Sequence, residues 1–173
     1  MRTGSLSLYS LKYAIYEVIF VNRKKLYINY DLIRQKIVDI EKAVALLEEI
    51  TLIDEEDFLK DQIVASGAKY QLILAIEAAQ NICNHLAARV AREAPESYAE
   101  CFSILGKSRI ISGELAQKLV SMAKFRNLLV HQYGKVDDLI VYGILKNDTG
   151  DILKYIEEIK SFISLVLTKE EIK

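Results

Sequence analysis

Apolar residues recur along most of this chain at alternating spacings of four and three, a period that restricts the backbone to helices burying one stripe each. Ile33, Ile37, Ile40, Val44 and Leu47 set the pattern over residues 31 to 51, with Asp31 the expected N-cap. Ala65, Ala68, Leu72, Ala75, Ala79, Ile82 and Leu86 repeat it on a long second helix, expected to open at Asp54 and end at Pro95. The small residues of that stripe let a neighbouring helix approach closely. A short helix through Tyr98, Phe102 and Leu105 follows, with Gly106 as its stop signal. Ser112 is expected to cap a fourth helix carrying Leu115, Leu119, Met122 and Leu129 inward, and Gly134 to end it in the left-handed region. Two more helices, roughly 137–146 and 151–168, flank the turn sequence Asn147-Asp148-Thr149-Gly150. No segment alternates with the period of a strand, so the expected fold is an all-α antiparallel helical bundle.

The chain has 173 residues, enough for one domain that buries roughly 70% of its unfolded surface. A single proline and seven glycines leave no compositional room for a linker or low-complexity tail. Residues 1–30 read as an appendage of unknown role and 31–173 as the helical domain. Leu6 to Val21 is largely apolar, but it carries Lys12 and Glu17 and is shorter than the ~20 residues of a typical spanning helix, so no membrane segment is expected. Cys83 and Cys101 show no metal-ligand spacing and read as small buried apolar residues in a reducing, cytoplasmic setting. Neither histidine, His85 nor His131, has a glutamate three positions before it, which excludes a di-iron bundle; no metal and no cofactor is expected. His85, Asn81 and Asn84 read as an exposed or interhelical hydrogen-bonding ridge, and Tyr70, Tyr98, Tyr142 and Tyr155 as packing or rim residues.

Formal net charge is -1, but its distribution is uneven: residues 31–106 sum to -7, whereas Lys107 to Lys135 sum to +5. That basic stretch could hold a polyanion or could be a solvated face. Its end reads K-F-R-N-L-L-V-H-Q-Y, from Lys124 to Tyr133. Arg126 occupies a stripe position between Met122 and Leu129 where a bundle would ordinarily place a leucine. Because a buried unpaired guanidinium is prohibitive, either an acid on another helix pairs with it, Glu77 being the candidate, or the stripe opens there into a cleft or subunit interface. At about 100° per residue, Asn127 and His131 lie about 40° apart, so the asparagine could orient the imidazole. Arg126 and His131 lie about 140° apart. One straight helix cannot aim both at one phosphate. Either the helix unwinds before Gly134, or His131 of one chain meets Arg126 of a second; a composite site across a dimer is the preferred reading. An extended backbone over 131–133 would turn His131 and Tyr133 to one side.

The string Arg126, His131, Gln132, Tyr133, in the pattern R-x-x-x-x-H-x-Y, resembles the HEPN domains and among them the HepT-type toxins of prokaryotic toxin-antitoxin pairs. D-L-I-R-Q-K-I, Y-Q-L-I-L-A-I-E-A-A and P-E-S-Y-A-E-C-F look similar too, so the resemblance spans roughly residues 31 to 167 and leaves out the first 30. It implies a homodimeric, metal-independent endoribonuclease neutralised by a nucleotidyltransferase antitoxin of the MntA type, with the Tyr133 hydroxyl as acceptor of AMP. The residue chemistry agrees: with the RNA 2'-hydroxyl as nucleophile, His131 suits general acid-base work and Arg126 a phosphate clamp, with Asn127, Tyr133 and Glu77 in support. The alternative is a non-catalytic helical partner of a nucleotidyltransferase that binds nucleotide or RNA through the same residues.

Overall fold

The computed structural model describes residues 27–170; the 1–30 appendage therefore lies almost wholly outside the described residues. Among those residues there are seven α-helices and no strand, as the period demands. They are α1 (Tyr30–Ile50), α2 (Glu55–Lys60), α3 (Gln62–Leu86), α4 (Tyr98–Lys107), α5 (Gly113–His131), α6 (Asp138–Asn147) and α7 (Thr149–Glu170).

The stripes are buried as expected, but several boundaries move because side-chain caps choose them. Asn29, not Asp31, caps α1, its side chain accepting the Leu32 N–H at 3.0 Å; Asp31 sits in the first turn, where its charge suits the helix dipole. The long second helix is two. Asp54 caps the short α2, and Asp61 breaks the run and caps α3 by accepting from Ile63 and Val64. The end of α3 is set well before Pro95, by a π-helical turn over Ala87–Ala91 and the left-handed Arg92 at φ 59°. Ser97, one residue on from Glu96, caps α4.

Both glycine stops are corrected. No described glycine has positive φ, so Gly134 ends nothing by a left-handed turn. Gly106 lies within α4, where an added Cβ would stand 2.7 Å from the Ala116 Cβ. Its role is to let α4 and α5 touch. Ser112 does occupy the α5 N-cap, yet its hydroxyl leaves the helix and donates to Glu158 of α7 at 2.9 Å. The turn 147–150 shrinks to Asp148, with Gly150 already inside α7.

α1 packs along α3 and α4 along α5, with α7 closing the larger core around Ile40, Leu86, Leu105, Leu119 and Tyr155. A second core joins Leu47, Phe58, Leu72, Leu129, Val141 and Tyr142 at the end of the bundle where α5 terminates. The two cysteines are buried, but they are bonded to each other, tying α3 to α4 with Cα atoms 6.0 Å apart. The sequence reading missed this pairing because it depends on the α3–α4 approach, and the cysteines give no support to a reducing setting. In a reducing compartment the same sulfurs stand as adjacent buried thiols. Among the described residues no helix is long and apolar enough to cross a membrane.

Candidate functional site

Leu129 is fully buried in the second core, which fixes the rotation of α5 and so the directions of the polar residues around it. Arg126 consequently points inward against α3, its side chain only 13% exposed. There one guanidinium nitrogen, Nη2, donates to Oε1 of Glu77, the partner the sequence suggested, and Nη1 donates to Asn127 Oδ1 at 3.3 Å. The guanidinium also lies over the Tyr98 ring, 5.1 Å from its centroid. Burying a cation in such a place is tolerable only because the carboxylate answers it, and removing the acid would leave an uncompensated charge.

Both readings of Arg126 are realised together, because the paired guanidinium also lines a cleft. A cavity of about 260 Å³ opens beside it, walled by Glu77, Gln80, Asn81, Asn84, Tyr98 and Ala123 among others. Two buried polar atoms here have no hydrogen-bond partner among the described residues, Arg126 Nε and Gln80 Oε1. An orphan of this kind costs about 1–3 kcal/mol in a folded protein. The sequence reading took Asn81 and Asn84 for a ridge and Tyr98 for a rim residue; the fold instead gathers them around Arg126.

His131 is the last residue of α5 and is exposed. The helix continues unbroken to it, so the offset of about 140° from Arg126 stands within one chain. The helix does leave the α conformation before Gly134, at Gln132, but only after His131, so that change does not bring the two together. Nor is the backbone extended beyond it: Gln132 adopts φ -133° and ψ 34°, and Tyr133–Lys135 form a 3-10 turn. What is described of Tyr133 is this backbone. The Asn127 side-chain oxygen accepts from Arg126, and among the described residues no side-chain hydrogen bond joins it to His131 of the same chain.

Lys69 is a functional candidate that the sequence reading passed over. It is 6% exposed, pairs with Asp138 Oδ1 at 2.6 Å and donates to the Val136 carbonyl at 3.4 Å. Gln62 adds a bond to Asp138 Oδ2 at 3.2 Å. Lys69 thus pins the segment that follows His131 and Tyr133 onto α3. Its signal was present in the sequence: a lysine beside Ala68 in an otherwise apolar stretch. His85, by contrast, is structural. Its Nε2 accepts the Asn29 N–H at 2.9 Å, joining α3 to the start of α1, and burial, then Arg89, hold its pKa below the ordinary imidazole value.

Among the described residues no group of three or more His, Cys, Asp or Glu side chains could hold a metal ion. The polar chemistry at this end of the bundle is one clamped guanidinium, one exposed imidazole on the same helix, and a cavity rich in amides. Comparison with known proteins gives it a context. Residues 40–159 match the family described as Ribonuclease HepT-like. The mRNA nuclease HepT of Shewanella oneidensis is 25% identical over 131 residues, covering 76% of this chain and 98% of that protein. The tRNA nuclease HepT of Aphanizomenon flos-aquae is 27% identical over 124 residues, 72% of this chain and 80% of that protein. A solved structure of the tri-AMPylated Shewanella oneidensis HEPN toxin in complex with MNT antitoxin superposes with a TM-score of 0.72 at 25% identity, covering 77% of this chain and 99% of that one. With two thirds of its length inside the family match and the bundle shared with that toxin, this chain belongs to the HepT-like ribonuclease family.

Proposed function

We propose that this endoribonuclease is the toxin of a toxin-antitoxin pair and cuts RNA without a metal ion, at a site built from Arg126 of one chain and His131 of a second. The observation that carries the proposal is the placement of the two groups on a continuous α5, about 140° apart, with Arg126 drawn inward to the cavity and His131 left open. Exposed apolar side chains surround this end of the bundle, Tyr70 and Leu74 on α3, Leu128 and Val130 on α5, and they suit contact with a second copy.

The reaction follows from the groups. His131 takes the proton from a ribose 2'-hydroxyl, whose oxygen attacks the adjacent phosphorus; the P–O5' bond breaks and the leaving oxygen takes up a proton. A 2',3'-cyclic phosphate remains. The imidazole suits both transfers because it is the side chain that can both take and give a proton near neutral pH. Arg126 meets the charge that grows on the non-bridging oxygens. Glu77 holds the guanidinium in place between turnovers and Asn127 limits its rotation. An internal nucleophile needs no metal-bound water, and an RNA substrate suits a protein working in the cytoplasm.

Control is proposed at Tyr133, two residues beyond His131 and at the first position of the 3-10 turn. A partner nucleotidyltransferase of the MntA type transfers AMP from ATP to its phenol oxygen with release of pyrophosphate. The added phosphodiester anion would compete for Arg126 with RNA phosphate. One observation favours the rival reading of a non-catalytic RNA- or nucleotide-binding partner: Arg126 is already neutralised by Glu77.

Purified protein with total RNA in excess EDTA tests the two. Cleavage leaving 2',3'-cyclic or 3'-phosphate ends is expected, and RNA that is bound but left intact supports the rival. With the partner and ATP, one AMP per modified tyrosine is expected by intact mass, and Tyr133→Phe should abolish the increment. Modification that survives in Tyr133→Phe would place control elsewhere.

A further inference from the structure

The cavity beside Arg126 is larger than a phosphate clamp requires, and its chemistry is uneven. Asn81 donates its Nδ2–H to the Glu77 carbonyl at 2.9 Å, which leaves its amide oxygen without a hydrogen-bond partner among the described residues. Gln80 is 5% exposed and donates Nε2–H to the Tyr98 carbonyl at 3.3 Å. A carbonyl can only accept, so this contact fixes which end of the Gln80 amide faces it. The other end, Oε1, is a buried acceptor with no partner among the described residues. Glu77 adds a carboxylate to the same wall. The wall formed by Gln80, Asn81 and Glu77 therefore offers acceptors, beside one unpartnered donor among the described residues, Arg126 Nε–H.

Its third component is flat. Tyr98, 40% exposed, carries the Arg126 guanidinium over its ring, and both planes are surfaces on which nucleobases stack. Acceptors beside a stacking surface, next to a phosphate-binding arginine, match one ligand face: a base edge that carries two adjacent N–H donors. Guanine presents N1–H and the exocyclic N2 amino group side by side; uracil presents one donor between two acceptors, and hypoxanthine lacks the amino group.

We infer that this cavity, walled by Gln80, Asn81 and Tyr98, is a nucleobase subsite that reads guanine in single-stranded RNA next to the phosphate held by Arg126. The inference rests on the proposed ribonuclease reading, which supplies the RNA. It adds what Arg126 and His131 cannot supply, a preference for sequence.

The test measures affinities of the intact protein for guanosine, inosine and uridine 3'-monophosphates, alongside cleavage of RNA oligonucleotides carrying guanosine, inosine or uridine at a single position. The guanosine nucleotide should bind about tenfold more tightly than the other two, since each of those leaves the amide oxygens short of a donor. Gln80→Met should bring the three to one affinity. Asn81→Ala, at an exposed position that the fold does not depend on, should narrow the gap if Gln80→Met fails to fold. Equal affinities in the wild type overturn the subsite while leaving cleavage standing. Selective guanosine binding by a protein that cuts no RNA overturns the nuclease reading and leaves the base site. Guanosine 3'-monophosphate that a guanosine-containing oligonucleotide fails to displace would make the cavity a site for free nucleotides and overturn the RNA assignment.

Discussion

Arg126 and His131 stand little more than one turn apart on α5, yet they live in different surroundings. Arg126 is held from three sides, by Glu77, by Asn127 and by the Tyr98 ring, and is mostly buried. His131 ends the helix in solvent, its side chain making no hydrogen bond to the described residues. A guanidinium that must stabilise charge gains from being fixed in advance, since no reorganisation is then needed as that charge develops. A proton-transfer group needs the opposite, open access to the atom it serves. The fold can afford both on one helix only by turning them to different faces, which is why a second chain is needed to reunite them in the proposed site.

The sharpest way to break this comparison is to remove each group. Arg126→Ala and His131→Ala should each lower RNA cleavage by about 10²–10⁴-fold. Circular dichroism should show helicity unchanged in His131→Ala. Full activity in either variant would remove that residue from the mechanism.

Co-expression of the two variants comes next. In a heterodimer one of the two composite sites regains both groups, so roughly half of the wild-type activity per dimer is expected. Heterodimers of confirmed composition that stay inactive would mean that both groups act within one chain or that the two sites must work together.

The segment after His131 sharpens the contrast, because its anchor is buried although the histidine is not. Lys69→Met leaves Asp138 without its cation and should lower the unfolding free energy by about 3 kcal/mol, read in urea. Activity should fall as well, with kcat affected more than KM if Lys69 positions the histidine turn. A stability loss with kcat intact would confine Lys69 to a structural role.

The smallest effect concerns the other histidine. His85 has its pKa lowered by burial first and by Arg89 second, so between that value and about 6.5 the unfolded chain binds the proton that the folded chain refuses. The stability contributed is complete above about pH 6.5 and is lost as the pH falls below it. Urea midpoints should decline between about pH 7.5 and 5.5 in the wild type and flatten in His85→Gln. An unchanged slope in His85→Gln would trace the pH dependence to another group.

How much of this was legible in the sequence varies by element. The stripes through Ile40, Leu72 and Leu119 marked the inner faces of the main helices, since burial of one face leaves a periodic trace, but not their number, because Asp61 splits the second in two. Glu77 was legible as partner of Arg126 because both break apolar stretches, and two such breaks are economical only when they meet. Asp61 was harder. It sits among other acidic residues, any of which could cap a helix, and the choice between them is made by packing. Gly106 misled because glycine serves turns and close approaches alike, and only the position of Ala116 separates the two.

The sequence alone determined that the chain is an all-helical bundle, and that a cation and an imidazole lie on one helix too far around to share a face. Those properties depend on residue spacing along a single backbone, which has a fixed pitch. Tertiary structure decided the rest: that the Asn127 side chain accepts from Arg126, that Cys83 meets Cys101, that Lys69 holds the segment after the histidine, and that Gln80, Asn81 and Tyr98 wall a cavity. Each of these joins residues whose approach is set by helix-to-helix distance or by competition for one donor, and neither is encoded in the local pattern of either partner.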